Sequence, residues 1–333
     1  MPTRDPMFQG RRLRAFLRQT REACGFTQRD VALEMDWSLS KLIRIETGQV
    51  NISTTDLRAL LQHYGVNDPA RVADWVDAAR ASKQRSWWYS YRNMVTTEFK
   101  VLLGYESSAT VIRNFEPLLV PGLLQTEEYA REVIRILAGP DTAGLEDLVD
   151  LRMERQDRLV RPDGPRLHFI VDENVVHRMV GNSAVMRNQI RRMREYAEWP
   201  NITLRVIPFS AGLYSRARIA YQLLEFPDVE DEAVLFIENA SGDIVIRESN
   251  QEDPPLVSPL SYLETFWGIE QLASRDLTPA MLDTALERFG PTASAAPESD
   301  ADDGAEGHRG ADSDVGSGSG QGSGSGSGQG SGE

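Results

Sequence analysis

The sequence predicts a multidomain chain: an all-α N-terminal domain, an α+β C-terminal domain with an antiparallel sheet, and a disordered tail. Three observations predict it. From Gly10 to about Ala81, apolar residues recur three and four apart with no alternating run, the signature of helices. Beyond "SKQRSWWYSYRN" helical patterns mix with strand-like runs, and the last four of these follow one another through short loops. After Gly290 the composition falls to Ala, Asp, Ser and Gly, ending "GSGSGQGSGSGSGQGSGE", which has nothing to bury. The boundaries expected are a flexible N-terminus over 1–9, a helical domain over 10–84, an α+β domain over 85–290 and the tail over 291–333.

In the first domain the informative stretch is "TQRDVALEMDWSLSKLIRIETG", Thr27 to Gly48. Thr27 is placed to cap a helix whose third residue, Asp30, suits the positive helix start and makes a capping-box pattern. Val31 and Met35 share one face of that helix, and Ala32 is small enough for a neighbouring helix to come close. Asp36 falls at the corner, where a left-handed residue is needed and Asp tolerates it better than most. Ser38 caps the next helix, Leu42 and Ile45 point inward, and Gly48 supplies the stop. The result is a helix-turn-helix.

This stretch resembles the phage-repressor-like (XRE) helix-turn-helix family of transcriptional regulators, and the likeness extends over about residues 10–66. "LRAFLRQTREACGF" fits that family's first helix, and "TTDLRALLQHYGV" fits the helix and Gly turn after the reader. The resemblance implies binding to double-stranded DNA, with Gln28 on a backbone phosphate and Thr27 beside it. It implies base-reading positions at Leu39, Ser40 and Arg44, with Lys41 adjacent, and a loop lying along phosphates through its amides and Gln49 or Asn51. It also pairs Arg21 with Glu46, tying the first helix to the end of the reader. Leu39 departs from the polar residues common at its position: it suits a thymine methyl, so hydrogen-bonded readout of guanine falls to Arg44 and Lys41. One such module discriminates modestly, so a homodimer reading two half-sites is expected. A helical bundle used only for protein contacts is the alternative, against which the outward set Gln28, Lys41 and Arg44 speaks.

Charge is consistent with this division. The 333 residues carry a formal net charge of −14, yet residues 1–66 hold 10 Lys and Arg against 7 Asp and Glu. Attraction to phosphate is local, since salt screens charges over about 8 Å, so a small basic unit works on an acidic chain. The acidic remainder is expected to stay off the duplex. With one cysteine, Cys24, there is no internal disulfide, and four scattered histidines make no zinc pattern, so no metal and no cofactor are expected. Cys24 reads as a small packing residue. No apolar run approaches the ~18 residues of a membrane span, and the start "MPTRDPMFQG" lacks the apolar core of a signal peptide; a cytoplasmic location is expected.

The second domain offers helices at about 98–115, 125–138, 145–160, 183–198, 256–274 and 279–289, and strands at 166–172, 201–209, 218–226, 233–239 and 243–248. The consecutive last four strands, with "NASGD" as a hairpin turn, suggest an antiparallel meander and not a doubly wound sheet. "FEPLLVPGLLQTEEYAREVI", "RMERQDRLV", "VMRNQIRRM", "NITLRVIPFSAGLY" and "YQLLEFPD", in that order, resemble the C-terminal domain of WhiJ-like, antitoxin-like actinomycete regulators over about residues 85–275. That likeness implies a regulator often paired with a small BldB-like partner protein. Two features are candidate partner or effector surfaces. One is "WWYSY", with Trp87, Trp88 and Tyr89, otherwise an interdomain plug. The other is Leu123, Leu124 and Tyr129, otherwise the apolar face after a Pro-Gly turn and a helix capped by Thr126.

Catalysis is weakly supported. "HFIVDENVVH" brings His168, Asp172, Glu173 and His177 close in sequence, but Asp172 is well placed to cap the helix carrying His177, and the spacing matches no hydrolytic or zinc motif. Arg187, Arg191, Arg192 and Arg194 read as a solvated helix face, or as a second anion contact. The expectation is therefore a non-enzymatic DNA-binding regulator controlled through its C-terminal domain, with an antitoxin-like interaction module as the alternative.

Overall fold

Side-chain caps fix where the N-terminal helices begin. Asp5 accepts a bond from Met7 N and starts α1 (Pro6–Ala23), with Pro6 in the first turn. Thr27 and Asp30 form a reciprocal capping box on α2 (Gln28–Glu34), Ser38 caps α3 (Leu39–Glu46), Ser53 caps α4 (Thr54–His63) and Asp68 caps α5 (Pro69–Ala81). Their apolar faces meet in one core of Leu13, Phe16, Leu17, Val31, Leu42, Ile45, Leu57, Leu60, Leu61 and Trp75. Each cap satisfies amides that the helix start leaves open, and its loss costs about 1 kcal/mol.

The computed structural model of the chain describes residues 5–139, 143–227, 233–239, 242–247 and 257–290. The tail expected over 291–333 and the middle of the "NASGD" turn lie outside these. After the fifth helix come α6 (Thr97–Glu106), β1 (Val111–Glu116), α7 (Glu127–Ala138), α8 (Leu145–Leu159), β2 (Arg166–Asp172), α9 (Glu173–His177), α10 (Ser183–Tyr196) and β3 (Ile202–Ile207). The chain continues through β4 (Tyr221–Glu225), β5 (Val234–Ile237), β6 (Ile244–Arg247), α11 (Pro259–Glu270) and α12 (Leu277–Arg288).

The six strands form one mixed sheet in the order β3-β2-β1-β4-β5-β6. β4, β5 and β6 are the expected meander, and β4 runs antiparallel to β1. β3 is not part of it. It lies at the opposite edge, parallel to β2, which is parallel to β1. Helices make both parallel crossovers, so the antiparallel expectation holds for half of the sheet only. A second correction concerns 98–115, read as one helix: α6 stops at Glu106 and 111–116 is the central strand β1, buried along both faces.

Alternate residues along the strands feed two cores. Ile112, Phe169, Leu204 and Leu224 face one layer with residues of α10 and α12, while Phe115, Ile170, Leu223 and Leu235 face α11 through Tyr262, Phe266 and Ile269. α1 begins before Gly10, and its first turns join the sheet-bearing region: Phe8 is buried against Tyr105 and Phe226. Asp5 N donates to Ser108 Oγ, and its carboxylate accepts from Ser86 Oγ. Residues 5–9, expected to be flexible, are thus the start of a helix whose two halves belong to two different cores.

Candidate nucleic-acid interface

The corner between α2 and α3 closes as the residue types require. Asp36 adopts φ 53°, and Trp37 N donates back to Ala32 O at 2.8 Å, the bond that ends a helix in a left-handed turn. At the far end Gly48 has φ 81° and lies under the Arg14 guanidinium; a Cβ there would stand 2.8 Å from it. α3 buries Leu42, Ile45 and Glu46 and leaves Leu39, Ser40 and Arg44 outward, followed by exposed Gln49 and Asn51.

Glu46 organises the inner side. Arg21 Nε lies 2.7 Å from Glu46 Oε1 and its Nη2 3.3 Å from Oε2, while Nη1 donates to Phe26 O at 3.0 Å. Gln28 Nε2 donates to Glu46 Oε2 at 2.8 Å, and Arg18 Nη2 to Glu46 O at 3.3 Å. The bond to Glu46 holds the Arg21 guanidinium above its ordinary range, against its burial. This network sets the angle between α1, α2 and the end of α3.

Not all expected DNA-facing residues are equally available. Thr27 both accepts from Asp30 N and donates its hydroxyl to Asp30 Oδ2 at 2.7 Å, so that hydroxyl is spent on the cap. Lys41 Nζ lies 3.1 Å from Asp56 and 3.9 Å from the centre of the Trp37 ring, so its charge is partly offset and its reach restrained. Gln28 has one amide hydrogen committed to Glu46. Arg44 is exposed and has no side-chain partner among the described residues. Leu39 is 43% exposed, at the start of the same face.

Arg18 is a further cation on this side, not singled out from the sequence. With Thr27 and Gln28 it lines a broad concavity between the end of α1 and the start of α2. The spacing of Arg11, Arg14 and Arg18 along one helix face was the available signal. Cys24, expected to pack, is exposed, with Sγ 3.6 Å from Tyr64 O.

Elsewhere the expected surfaces change character. Leu123, Leu124 and Tyr129 are at most 2% exposed, and the Tyr129 hydroxyl accepts from Val120 N, so they are core and offer a partner no face. Trp88 is buried against Leu103 and Leu151, Trp87 donates to Ser107 Oγ, and Tyr89 remains 39% exposed with Arg85 and Arg92 over its ring. The α10 arginines are engaged: Arg187 with Phe289 O, Arg191 with Asn188, Arg192 with Tyr196, and Arg194 with Glu198 and Asp283.

The histidine-containing stretch is held by structural bonds. Asp172 caps α9 and accepts from Tyr214, and Glu173 accepts from Phe209 N and lies 3.4 Å from His177. His168, on β2, is pushed down to about 4 by burial, with Arg113, Arg166 and Arg205 acting in the same direction. An imidazole with an ordinary value of 6.5 when unfolded and about 4 when folded contributes stability that is present above 6.5 and is lost as pH falls toward 4. Thermal unfolding of H168F should therefore show a flatter acid limb over that window than the parent protein. Equal slopes would contradict the assignment.

The fold and this face define the class: the N-terminal region is a helix-turn-helix DNA-binding domain, and the chain is a DNA-binding regulator. Residues 12–75 match a family described as a helix-turn-helix domain, and residues 99–253 match one described as a domain of unknown function (DUF5753). Neither the curated proteins nor the solved structures gave a match. Among the described residues no helix is long and apolar enough to cross a membrane.

Proposed function

We propose that the chain is a sequence-specific transcriptional regulator whose C-terminal region controls DNA binding in response to an effector. The observation that carries the reading is the outward face of α3: Arg44 exposed and without a side-chain partner among the described residues, with Leu39 and Ser40 beside it, on a net-positive N-terminal segment of an acidic chain. In a major groove Arg44 donates two bonds to guanine O6 and N7, and Leu39 meets a thymine methyl. Gln28, Arg18 and the loop with Gln49 and Asn51 take phosphates, while Lys41, tethered to Asp56, contributes field more than readout. Two copies reading adjacent half-sites supply the discrimination that one short reader lacks. A small partner protein on the C-terminal region, with DNA contact secondary, is the other reading; control by an effector is favoured by an apolar cavity lined by Phe99, Ile134, Leu148 and Arg152.

Footprinting of genomic fragments with the parent protein and R44A tests this. Loss of the arginine is expected to weaken binding at preferred sites by about 1–3 kcal/mol and to relax preference at one base position per half-site. Sites and affinities unchanged by R44A would remove Arg44 from its role, and no preference among duplexes at low salt would sink the reading.

A further inference from the structure

A cavity of about 250 Å³ opens between the segment before α6, α7 and α8, walled by Val95, Phe99, Ile134, Leu148 and Leu151. Its charged lining residues are Arg152 and Arg155, three residues apart on α8, and Asp243. The two arginines differ. Arg155 is neutralised: its Nε and Nη2 reach both oxygens of buried Glu106, at 2.7 and 2.5 Å. Among the described residues Arg152 has only an amide, Gln125 Oε1, at 2.6 Å.

A guanidinium facing an apolar cavity with no counter-ion at bonding distance is costly to fold around. Burial and the nearby Arg155 pull Arg152 down to about 10, so it still carries its charge at neutral pH. Of the acids around it, Glu116 is buried, and burial, then Glu238, push its carboxyl well above the usual carboxylate range; burial also raises Asp243 on the cavity wall. Arg152 is thus a guanidinium on an apolar slot with no ion pair among the described residues. An apolar pocket with few convergent polar groups is the usual form of a small-molecule site.

We propose that this cavity binds a small amphipathic carboxylate, its hydrocarbon body between Phe99, Ile134 and Leu148 and its head on Arg152. A 150 Å³ apolar cavity holds benzene, so this volume suits a ligand of roughly ten heavy atoms. The effector role, though not the site itself, rests on the regulator reading above. The connection to the reader is one of contact: Met7 of α1 packs with Val95 and Phe99 on the cluster of Trp88, Leu103 and Leu151, and the same helix carries Leu13, Phe16 and Leu17 into the core under α3. A ligand pressing on Phe99 therefore bears on the helix both cores share.

Octanoate, octanol and octylamine share a tail and differ in the charge of the head. Titrated calorimetrically into the full chain at neutral pH, octanoate is expected to bind saturably at one site and at least tenfold tighter than the other two. R152Q should reduce octanoate affinity at least tenfold, to the level of octanol, and L148W, which fills the slot, should abolish binding of all three. Should R152Q fail to fold, the octanoate to octylamine ratio and L148W still decide. Preference for octylamine, absence of saturable octanoate binding, or octanoate affinity unchanged in folded R152Q overturns the site. Duplex affinity measured with and without octanoate separates the two claims. Arg152-dependent octanoate binding with unaltered duplex affinity sinks the effector role and leaves the site, whereas a chain that prefers no duplex sinks the regulator reading.

Discussion

Glu46→Ala is expected to lower stability by about 3–5 kcal/mol, enough to unfold much of the helix-turn-helix at moderate temperature. The side chain is 1% exposed and Arg21 9%, so removing the carboxylate takes two bonds from a buried guanidinium and leaves it with Glu22 at 3.1 Å and Phe26 O at 3.0 Å. Gln28 loses its acceptor in the same step. The cost is therefore that of three bonds to a buried carboxylate and not of one surface ion pair, which is worth at most about 1 kcal/mol. Urea unfolding followed by circular dichroism measures it. R21M/E46L, which removes both charges and restores apolar volume, should recover most of the loss, because a buried pair is often no better than well-packed hydrocarbon. A fall of under about 1 kcal/mol in E46A would show that Arg21 finds water, and that the pair does not fix α1 against α3.

The helix-turn-helix was readable because its signals are local. Thr27 and Asp30, Asp36, Ser38 and Gly48 each act within a few residues, through caps and left-handed turns that side-chain chemistry specifies. β1 was not readable for the opposite reason. "VIRNFE" is buried on both faces, so it shows no alternation, and it follows α6 closely enough to extend the helical pattern to 115. The place of β3 could not be seen either, since parallel pairing with β2 depends on a helical crossover and leaves no turn signature. The same holds for the reader's availability: sequence puts Lys41 and Arg44 on one helix, but only the fold brings Asp56 and Trp37 to Lys41 and leaves Arg44 without a partner among the described residues. The cavity was hidden because its parts lie far apart in the chain, from Val95 to Asp243, and because what marks it is the difference between the partners of Arg152 and Arg155.

Glu106→Ala should match or exceed the loss in E46A, again about 3–5 kcal/mol, measured by urea unfolding. Glu106 is 1% exposed and accepts three bonds, two from Arg155 and one from Gln222 Nε2 at 2.6 Å, which joins α6, α8 and β4 across 116 residues of sequence. E106Q, which keeps two of the acceptor sites but not the charge, should fall between. The two losses should appear in one transition. α1 contributes Phe8 to the core beside the sheet and Leu13, Phe16 and Leu17 to the core under the reader, so neither core unfolds without uncovering part of the other. Amide exchange in α3 should therefore accelerate in E106A, far from the substitution, and exchange in β1 should accelerate in E46A. Acceleration confined to the mutated side in both variants would mean that the shared helix does not couple the cores, and would remove the mechanical link between a filled cavity and the position of α3.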